Sequence, residues 1–454
     1  MPRGSFAIVA FVTVFGSPAL AGDETAEALI ARRLAAASRG SLAEADALGA
    51  LGALQASRGD GSGAEMLLRQ ALEGKERALG ADHESLGPVL VDLALVLLSQ
   101  GRMAEMESFL RRGLAIDDAA DGDQPEVGRR LRRVTTLRLL ASVRASVGDA
   151  AEAETLLRRA VRVSEAAPKL GGPDGADVLI GLGKLLVERG AIDEGEKFAR
   201  RALRIYEKVS GPRRTQRVDA LLTLAAVRMA RRELAEALAL LRRAGRVAEL
   251  EGARPALRAA AAAHMGALWM AHGRPNEAEP FLERGLELGE RAVGPDHPAL
   301  IRVLQTLADC YRIRNRPDEA EALYQRAFDM ASRAYGPRSA ALVPSLSGLA
   351  LLEEGRGDAV RAEARFREGL AVAEESADAL GRAAYLGHMA AFFERQGAVG
   401  TAEHLYLRAL AGLEGVGGHD PRRTVVLQGL ASVYARQGRR GEAARILASL
   451  APSP

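Results

Sequence analysis

Apolar and small residues recur along this chain in a frame of about 42 residues, and each copy predicts two amphipathic helices joined by a tight turn. The clearest copy runs from Thr306 to Pro337, with its turn at Asn315. A fixed period in this range is typical of a solenoid, in which each repeat packs only on its neighbours. The same frame fits nine further turns, at Gly59, Gly101, Gly148, Gly190, Arg232, Gly273, Gly357, Gly397 and Gly438.

The residue types at fixed distances from the turn explain why the copies would pack. Eight positions before the turn every copy has Leu or Met, and the next residue is always Gly or Ala, as at Leu307 and Ala308. Eleven positions before the turn nine of the ten copies have Leu, and Ala262 is the exception. Large residues at helical spacing supply a buried face, and small residues let two backbones approach closely. The frame therefore predicts an all-α fold.

These offsets resemble the tetratricopeptide repeat, which has large, small and aromatic residues at set positions. The period is about eight residues longer than the usual ~34, and this longer form is similar to the repeats of kinesin light chains. The segment from Gly294 to Pro298 carries the same likeness. The resemblance covers roughly residues 42–450 and implies a right-handed α-solenoid of about ten antiparallel helix pairs. The residues that match the pattern are Leu304, Leu307, Ala308, Tyr311, Ala320, Tyr324 and Ala327.

The segment between two copies has a local chemical explanation. Gly294 suits the position after a helix, where the backbone takes a positive φ. Asp296 or His297 is expected to cap the next helix, and Pro298 suits its first turn. The sequence therefore predicts that these residues are structural and hold no metal.

An acidic stretch lies between the second and third copies, where the spacing is five residues longer. It contains four aspartates between Asp117 and Asp123. An EF-hand calcium loop needs acidic residues at its third and twelfth positions, which counted from Asp117 would be Ala119 and Gly128. We interpret the stretch as a solvated acidic loop.

Residues 1–21 do not belong to the array. Arg3 precedes an uncharged apolar run, Phe6–Phe15, and Ala19-Leu20-Ala21 ends in the Ala-x-Ala pattern of a cleavage site. These features predict a secretory signal peptide cleaved after Ala21, with an uncleaved anchor as the alternative. The apolar run is too short to span a bilayer and no later stretch is long enough, so we predict an exported protein without a membrane span, periplasmic or secreted if the source is bacterial.

The remaining boundaries follow from the frame. Residues 22–41 are predicted to form an N-terminal capping helix that hides the apolar side of the first repeat. Residues 42–450 are predicted to form the array of about ten repeats. Residues 451–454, which contain two prolines, are predicted to be a short tail.

Composition and motifs exclude several kinds of function. The net charge is only +3 and no basic run has interleaved aromatic residues, so we predict no nucleic-acid binding. His83-Glu84 lacks the second histidine of a zinc-protease motif, and Gly183-Lys184 lacks the glycine of a phosphate loop. The structural frame accounts for all ten repeats and leaves no separate catalytic domain. We therefore predict no enzymatic activity, no metal and no cofactor.

The resemblance implies a concave groove lined by the first helix of each pair, at 13, 10, 6, 3 and 2 positions before each turn. Such a groove suits a protein or peptide partner with apolar anchors. Relatives that bind chaperones clamp a carboxylate with Asn and Lys, but both asparagines here, Asn276 and Asn315, fall in turns. An ion pair of Arg302 or Arg312 with Asp309 is the alternative to partner binding. The candidate partner-binding residues are Arg138, Lys184, Met229, Met270, Arg302, Gln305, Asp309 and Arg312.

Two functions remain at this stage. The first is an exported non-enzymatic scaffold that holds a protein or peptide in its groove. The second is an accessory subunit of a cell-envelope polysaccharide or peptidoglycan system, or an enzyme with an unrecognised site. Glycan binding usually asks for exposed aromatic platforms. The one tryptophan, Trp269, occupies the repeat position of Tyr311 and Tyr434, where a core role is expected.

Overall fold

The computed structural model describes residues 23–120, 127–166, 172–210, 215–250, 253–376, 378–414 and 421–450. Within these ranges the chain forms α-helices, short 3-10 turns and no strand, which confirms the all-α prediction. A first helix, α1, packs on α2, and α2 to α21 form ten antiparallel pairs of a right-handed α-solenoid. The helices are α1 Asp23–Ala36, α2 Leu42–Ser57, α3 Gly61–Leu79, α4 Gly87–Ser99, α5 Met103–Ala119, α6 Val127–Ser146, α7 Ala150–Glu165, α8 Pro173–Glu188, α9 Ile192–Glu207, α10 Arg217–Ala230, α11 Leu234–Leu250, α12 Pro255–Ala271, α13 Pro275–Val293, α14 Ile301–Ile313, α15 Pro317–Tyr335, α16 Val343–Gly355, α17 Ala359–Glu375, α18 Ala379–Arg395, α19 Val399–Ala411, α20 Pro421–Arg436 and α21 Arg440–Ser449.

The turn inside each pair depends on one residue with a left-handed backbone. All ten predicted turn residues have positive φ, from 59° at Asn315 to 93° at Gly148. Glycine adopts this conformation without steric cost, and asparagine tolerates it better than most residues. Arg232, at 63°, is the exception to both preferences. The predicted turn frame is confirmed in every repeat.

Close backbone contact holds the two helices of a pair together. Ala308 and Ala350, at the predicted small position, have no exposed surface. In the fourth pair a Cβ added at Gly183 would lie 3.0 Å from the backbone oxygen of Gly195. Only small residues leave room for this approach. The predicted role of the small residues is confirmed.

An arginine directly after the turn links consecutive pairs in three repeats. The Arg316 guanidinium lies 4.1 Å from the centre of the Tyr311 ring. Its Nη1 donates to Glu279 of the preceding repeat at 2.7 Å, and its Nε donates to Glu319 at 2.8 Å. Exposed ion pairs of this kind contribute little each, so we assign them a role in fixing the register. The corresponding arginines in the second and tenth pairs are Arg102 and Arg439.

The segments between pairs confirm the predicted caps. Gly294 has a φ of 90° directly after α13. The Nδ1 atom of His297 accepts a hydrogen bond from the backbone N–H of Ala299 at 3.1 Å, and His83 caps the corresponding segment in the same way.

The predicted acidic loop is wrong for its first two residues. Helix α5 continues through Asp117 and Asp118, and Asp117 is only 1% exposed. The Arg132 guanidinium donates to Asp117 at 2.5 Å, and Arg133 and Arg159 pair with Asp118. Arginines of the next pair therefore neutralise these acids and draw them inward. Residues 121–123 lie outside the described residues.

Both predicted end segments lie mainly outside the described residues. Residues 1–22, which include the predicted signal peptide, and residues 451–454 are not described, so those predictions stay predictions. None of the described helices combines the length and apolarity that crossing a bilayer would require.

Replacing Gly348 by alanine should destabilise the array, because the added Cβ would fall on the buried ring of Tyr324. We expect Gly348→Ala to cost about 1–3 kcal/mol in the free energy of unfolding. The control is Gly245→Ala in α11, where a Cβ would meet nothing within 4 Å and alanine should stabilise by about 0.5–1 kcal/mol. Guanidinium denaturation measures both variants. A neutral Gly348→Ala would contradict the described packing.

Candidate functional site

The first helices of the second to tenth pairs surround a cavity of about 1440 Å³. We call this cavity the channel. Its lining begins at Leu98 in α4 and ends at Leu450 after α21. The sequence predicted a concave groove, and the structure adds that repeats far apart in the chain contact each other along one side of this space.

The first closing contact joins the second pair to the seventh. The Nε2 atom of His297 lies 2.9 Å from the backbone oxygen of Leu98. Because the Nδ1 atom accepts from the Ala299 N–H, the hydrogen of the neutral ring is on Nε2 and is donated to Leu98. Burial lowers the pKa of His297, which favours this neutral form. Beside it, a Cβ added at Gly101 would lie 2.8 Å from Pro298.

Two further contacts continue the closure along the array. A Cβ added at the turn residue Gly148 would lie 2.7 Å from the Cβ of Ala340 and 2.9 Å from that of Asp378. In the fourth pair the Glu188 backbone oxygen accepts a hydrogen bond from Arg422 at 3.3 Å. Each contact joins a repeat to one that lies five or six repeats later. We call this set of contacts the seam.

A buried helix end adds apolar contact at the seam. Ala334, at the end of α15, is buried in the core cluster of the second and third pairs, and Tyr335 packs against that cluster. Tyr335 also forms a hydrogen bond with Ser146, and burial raises the pKa of its hydroxyl. The seam therefore combines hydrogen bonds, glycine contacts and apolar packing.

Six of the eight predicted partner-binding residues line the channel, and Arg138 and Lys184 do not. In the fifth and sixth pairs only the predicted residues within six positions of the turn line the channel. Asp219 and Ala260, which lie 13 positions before their turns, do not line it. In the seventh pair all five predicted offsets line it. The six residues brought together are Met229, Met270, Arg302, Gln305, Asp309 and Arg312.

Asp309 organises the polar groups at one end of α14. It accepts a hydrogen bond from Arg312 at 3.3 Å and one from the Tyr324 hydroxyl at 2.6 Å. The predicted alternative, an internal ion pair, is thus correct for Arg312. Gln305 is also engaged, because its Nε2 donates to the Ser345 hydroxyl at 2.9 Å.

Arg302 is in a different situation from Arg312. Within the described residues its guanidinium makes no hydrogen bond and no ion pair, although it lies in the channel wall. Burial lowers the pKa of Arg302, and the carboxylate of Glu188 opposes that shift from a distance. Lys184 is not among the residues that line the channel, and burial lowers its pKa against the charges of Glu188 and Asp219. Arg302 is thus the residue of this group whose guanidinium has no direct partner among the described residues.

His264 is a channel residue that the sequence analysis did not select. It is 4% exposed, and its Nδ1 lies 2.8 Å from the backbone oxygen of Ala260. A carbonyl only accepts, so the hydrogen of the neutral ring is on Nδ1 and Nε2 is an acceptor. Burial lowers the pKa of His264 to about 4, helped by the charge of Lys184. In the described part of the chain, the buried Nε2 has no hydrogen-bond partner.

Trp269 offers no free platform for a sugar ring. It packs against the core cluster of the fifth to eighth pairs, and the Arg274 guanidinium lies 4.7 Å from its ring centre. This arrangement agrees with the core role expected from its repeat position.

The sequence profile described as "Tetratricopeptide repeat" matches residues 43–119, 132–208, 257–332 and 315–375. Since these matches cover more than half of the chain, the protein belongs to the tetratricopeptide repeat family. Comparison with curated proteins gives no match.

The solved structures that are similar to this chain include the following two proteins. One is a Rap protein in complex with competence and sporulation factor, with a TM-score of 0.52 and 15% identity over 90% of this chain and 96% of that one. The other is BtubC (BKLC) from P. vanneervenii, with a TM-score of 0.40 and 22% identity over 50% of this chain and 90% of that one. At this identity the likeness to the Rap protein shows a shared fold.

Replacing Gly148 by asparagine should strain the seam. Asn315 occupies the same turn position in the seventh pair, so asparagine fits this backbone. The added side chain would meet Ala340 and Asp378, and overpacking of this kind costs about 1–3 kcal/mol. The control is Gly273→Asn, where a Cβ would meet nothing within 4 Å.

Thermal unfolding and small-angle scattering measure both effects. The Gly148→Asn variant should melt at a lower temperature than Gly273→Asn and should have the larger radius of gyration. Equal values for the two variants would contradict a closed seam.

Proposed function

We propose that this protein is a non-enzymatic scaffold that binds a peptide segment of a partner protein inside the channel. The observation that carries the proposal is the channel itself, closed on one side by the seam, with an apolar surface at Met229, Ala267 and Met270 beside the polar groups of α14. Peptide-recognition sites commonly combine apolar pockets with a few oriented polar groups.

The size and enclosure of the channel favour a chain segment over other ligands. A volume of about 1440 Å³ exceeds that of the pockets of roughly 300–1,000 Å³ that hold small molecules. The seam closes one side of the channel, so a folded domain could not lie in it. The Rap protein crystallised with competence and sporulation factor is a precedent for a bound partner on this fold.

The accessory role in a polysaccharide system has less support. It requires an exposed aromatic platform, and the ring of Trp269 is engaged with Arg274 and with the core. We therefore keep the peptide-binding scaffold as the proposal.

Selection of a random phage-displayed peptide library on the protein tests the proposal. Peptides that bind in the channel should bind at least about tenfold more weakly to Ala267→Trp, because the indole fills space between channel walls. The control is Ala235→Trp on the exposed side of α11, which should leave the affinity unchanged. Binding that survives Ala267→Trp would place the site elsewhere, and failure to select any peptide would contradict the proposal.

We also propose that the protein is exported, on the basis of the Ala19-Leu20-Ala21 pattern. N-terminal sequencing of the mature protein should begin at Gly22. A mature protein that retains Met1 and stays in the cytosol would contradict export.

A further inference from the structure

The side chain of Arg302 lies in the channel wall without a direct partner among the described residues. Arg302 is half-buried in this wall, where an opposite charge that also accepts hydrogen bonds would stabilise it. Arginine presents a planar fork of donors that matches a carboxylate at two points. The guanidinium of Arg302 is therefore a site for an acceptor that the described residues do not supply.

The nearby acids do not fill this role. Asp309 already accepts from both Arg312 and Tyr324. Glu188 acts on Arg302 only at longer range, while its backbone oxygen accepts from Arg422 at the seam. Lys184 is near enough to interact with Arg302 by charge, but the carboxylates of Glu188 and Asp219 also act on it. The donors of Arg302 in the channel wall therefore have no acceptor from the described residues.

His264 supplies the complementary half of the site. Its ring and the Arg302 guanidinium are close enough to influence each other electrostatically, and both line the channel. The Nε2 atom of the neutral ring is a buried acceptor without a partner. Buried polar atoms in native proteins are nearly always hydrogen-bonded, so this acceptor calls for a donor.

An acidic residue within a peptide presents the required combination. Its carboxylate supplies the acceptor for Arg302, and a backbone N–H supplies the donor for His264. Ala267 and Met270, three and six residues after His264 on α12, also line the channel and suit apolar neighbours in the peptide. We infer that the bound peptide places a carboxylate on Arg302 and an adjacent N–H on the Nε2 atom of His264, within an otherwise apolar segment. This inference rests on the proposed function.

The same phage library, selected in parallel on wild type and on Arg302→Glu, tests whether the charge of Arg302 determines which peptides bind. The displayed peptides have no free C-terminus, so any acid that they share is a side chain. We expect the peptides selected on wild type to share one Asp or Glu, flanked by apolar residues. The peptides selected on Arg302→Glu should have Lys or Arg at that position instead. The control is Arg284→Glu on the exposed side of α13, which should select the same peptides as wild type.

A double-mutant cycle with one selected peptide measures the pair directly. Replacing the shared acid of the peptide by its amide should weaken binding at least about tenfold on wild type and less than about twofold on Arg302→Gln. Arg302→Gln also serves if Arg302→Glu does not fold, with circular dichroism as the check. N-methylation of the amide that faces His264 should weaken binding to wild type and have no effect on His264→Leu.

The outcomes separate this inference from the proposed function. If the selected peptides bind wild type, bind Ala267→Trp more weakly and share no acidic residue, the anion site is wrong. The proposal of a channel scaffold would then still hold. If the amide replacement of the shared acid weakens binding equally on wild type and on Arg302→Gln, that acid binds elsewhere, which overturns its assignment to Arg302. If no peptide is selected at all, both the scaffold and the anion site fall.

Discussion

The channel depends on contact between parts of the superhelix that are five or six repeats apart. Gly101 and Gly148 make this contact possible because they carry no side chain at the points where Pro298 and Ala340 approach. Most other turn glycines of the array face open space, so their left-handed backbone is their only requirement. At these two positions glycine therefore meets a conformational demand and a steric one together.

Much of the fold could be predicted from the sequence because each repeat packs on its neighbours. The ten turn residues, the small residues such as Ala308 and the histidine caps all reflect local rules, and all were predicted correctly. The closed shape could not be predicted in the same way. The pitch of a solenoid is the sum of small rotations between repeats, and no single residue in the frame encodes it. Asp117 shows the same limit on a smaller scale, because its arginine partner belongs to the next pair.

The positions of residues relative to each turn predicted only part of the candidate site. The offsets placed Arg302 and Arg312 on the channel, but they could not show that, of these two arginines, only Arg312 pairs with Asp309. They also placed Lys184 in the groove, whereas it does not line the channel and its charge acts on His264. His264 was missed because its offset is not among the lining positions of the resembled family. A lone histidine in the alanine-rich helix α12 was the one signal that could have directed attention to it.

Hydrogen–deuterium exchange with a selected peptide tests the central claim, peptide binding inside the closed channel, most directly. The first helices line the channel, so adding the peptide should slow amide exchange in α10, α12 and α14. Exchange in the outer helices α11 and α13 should stay unchanged. Protection confined to α11 and α13, or no protection in α12 and α14, would contradict binding in the channel.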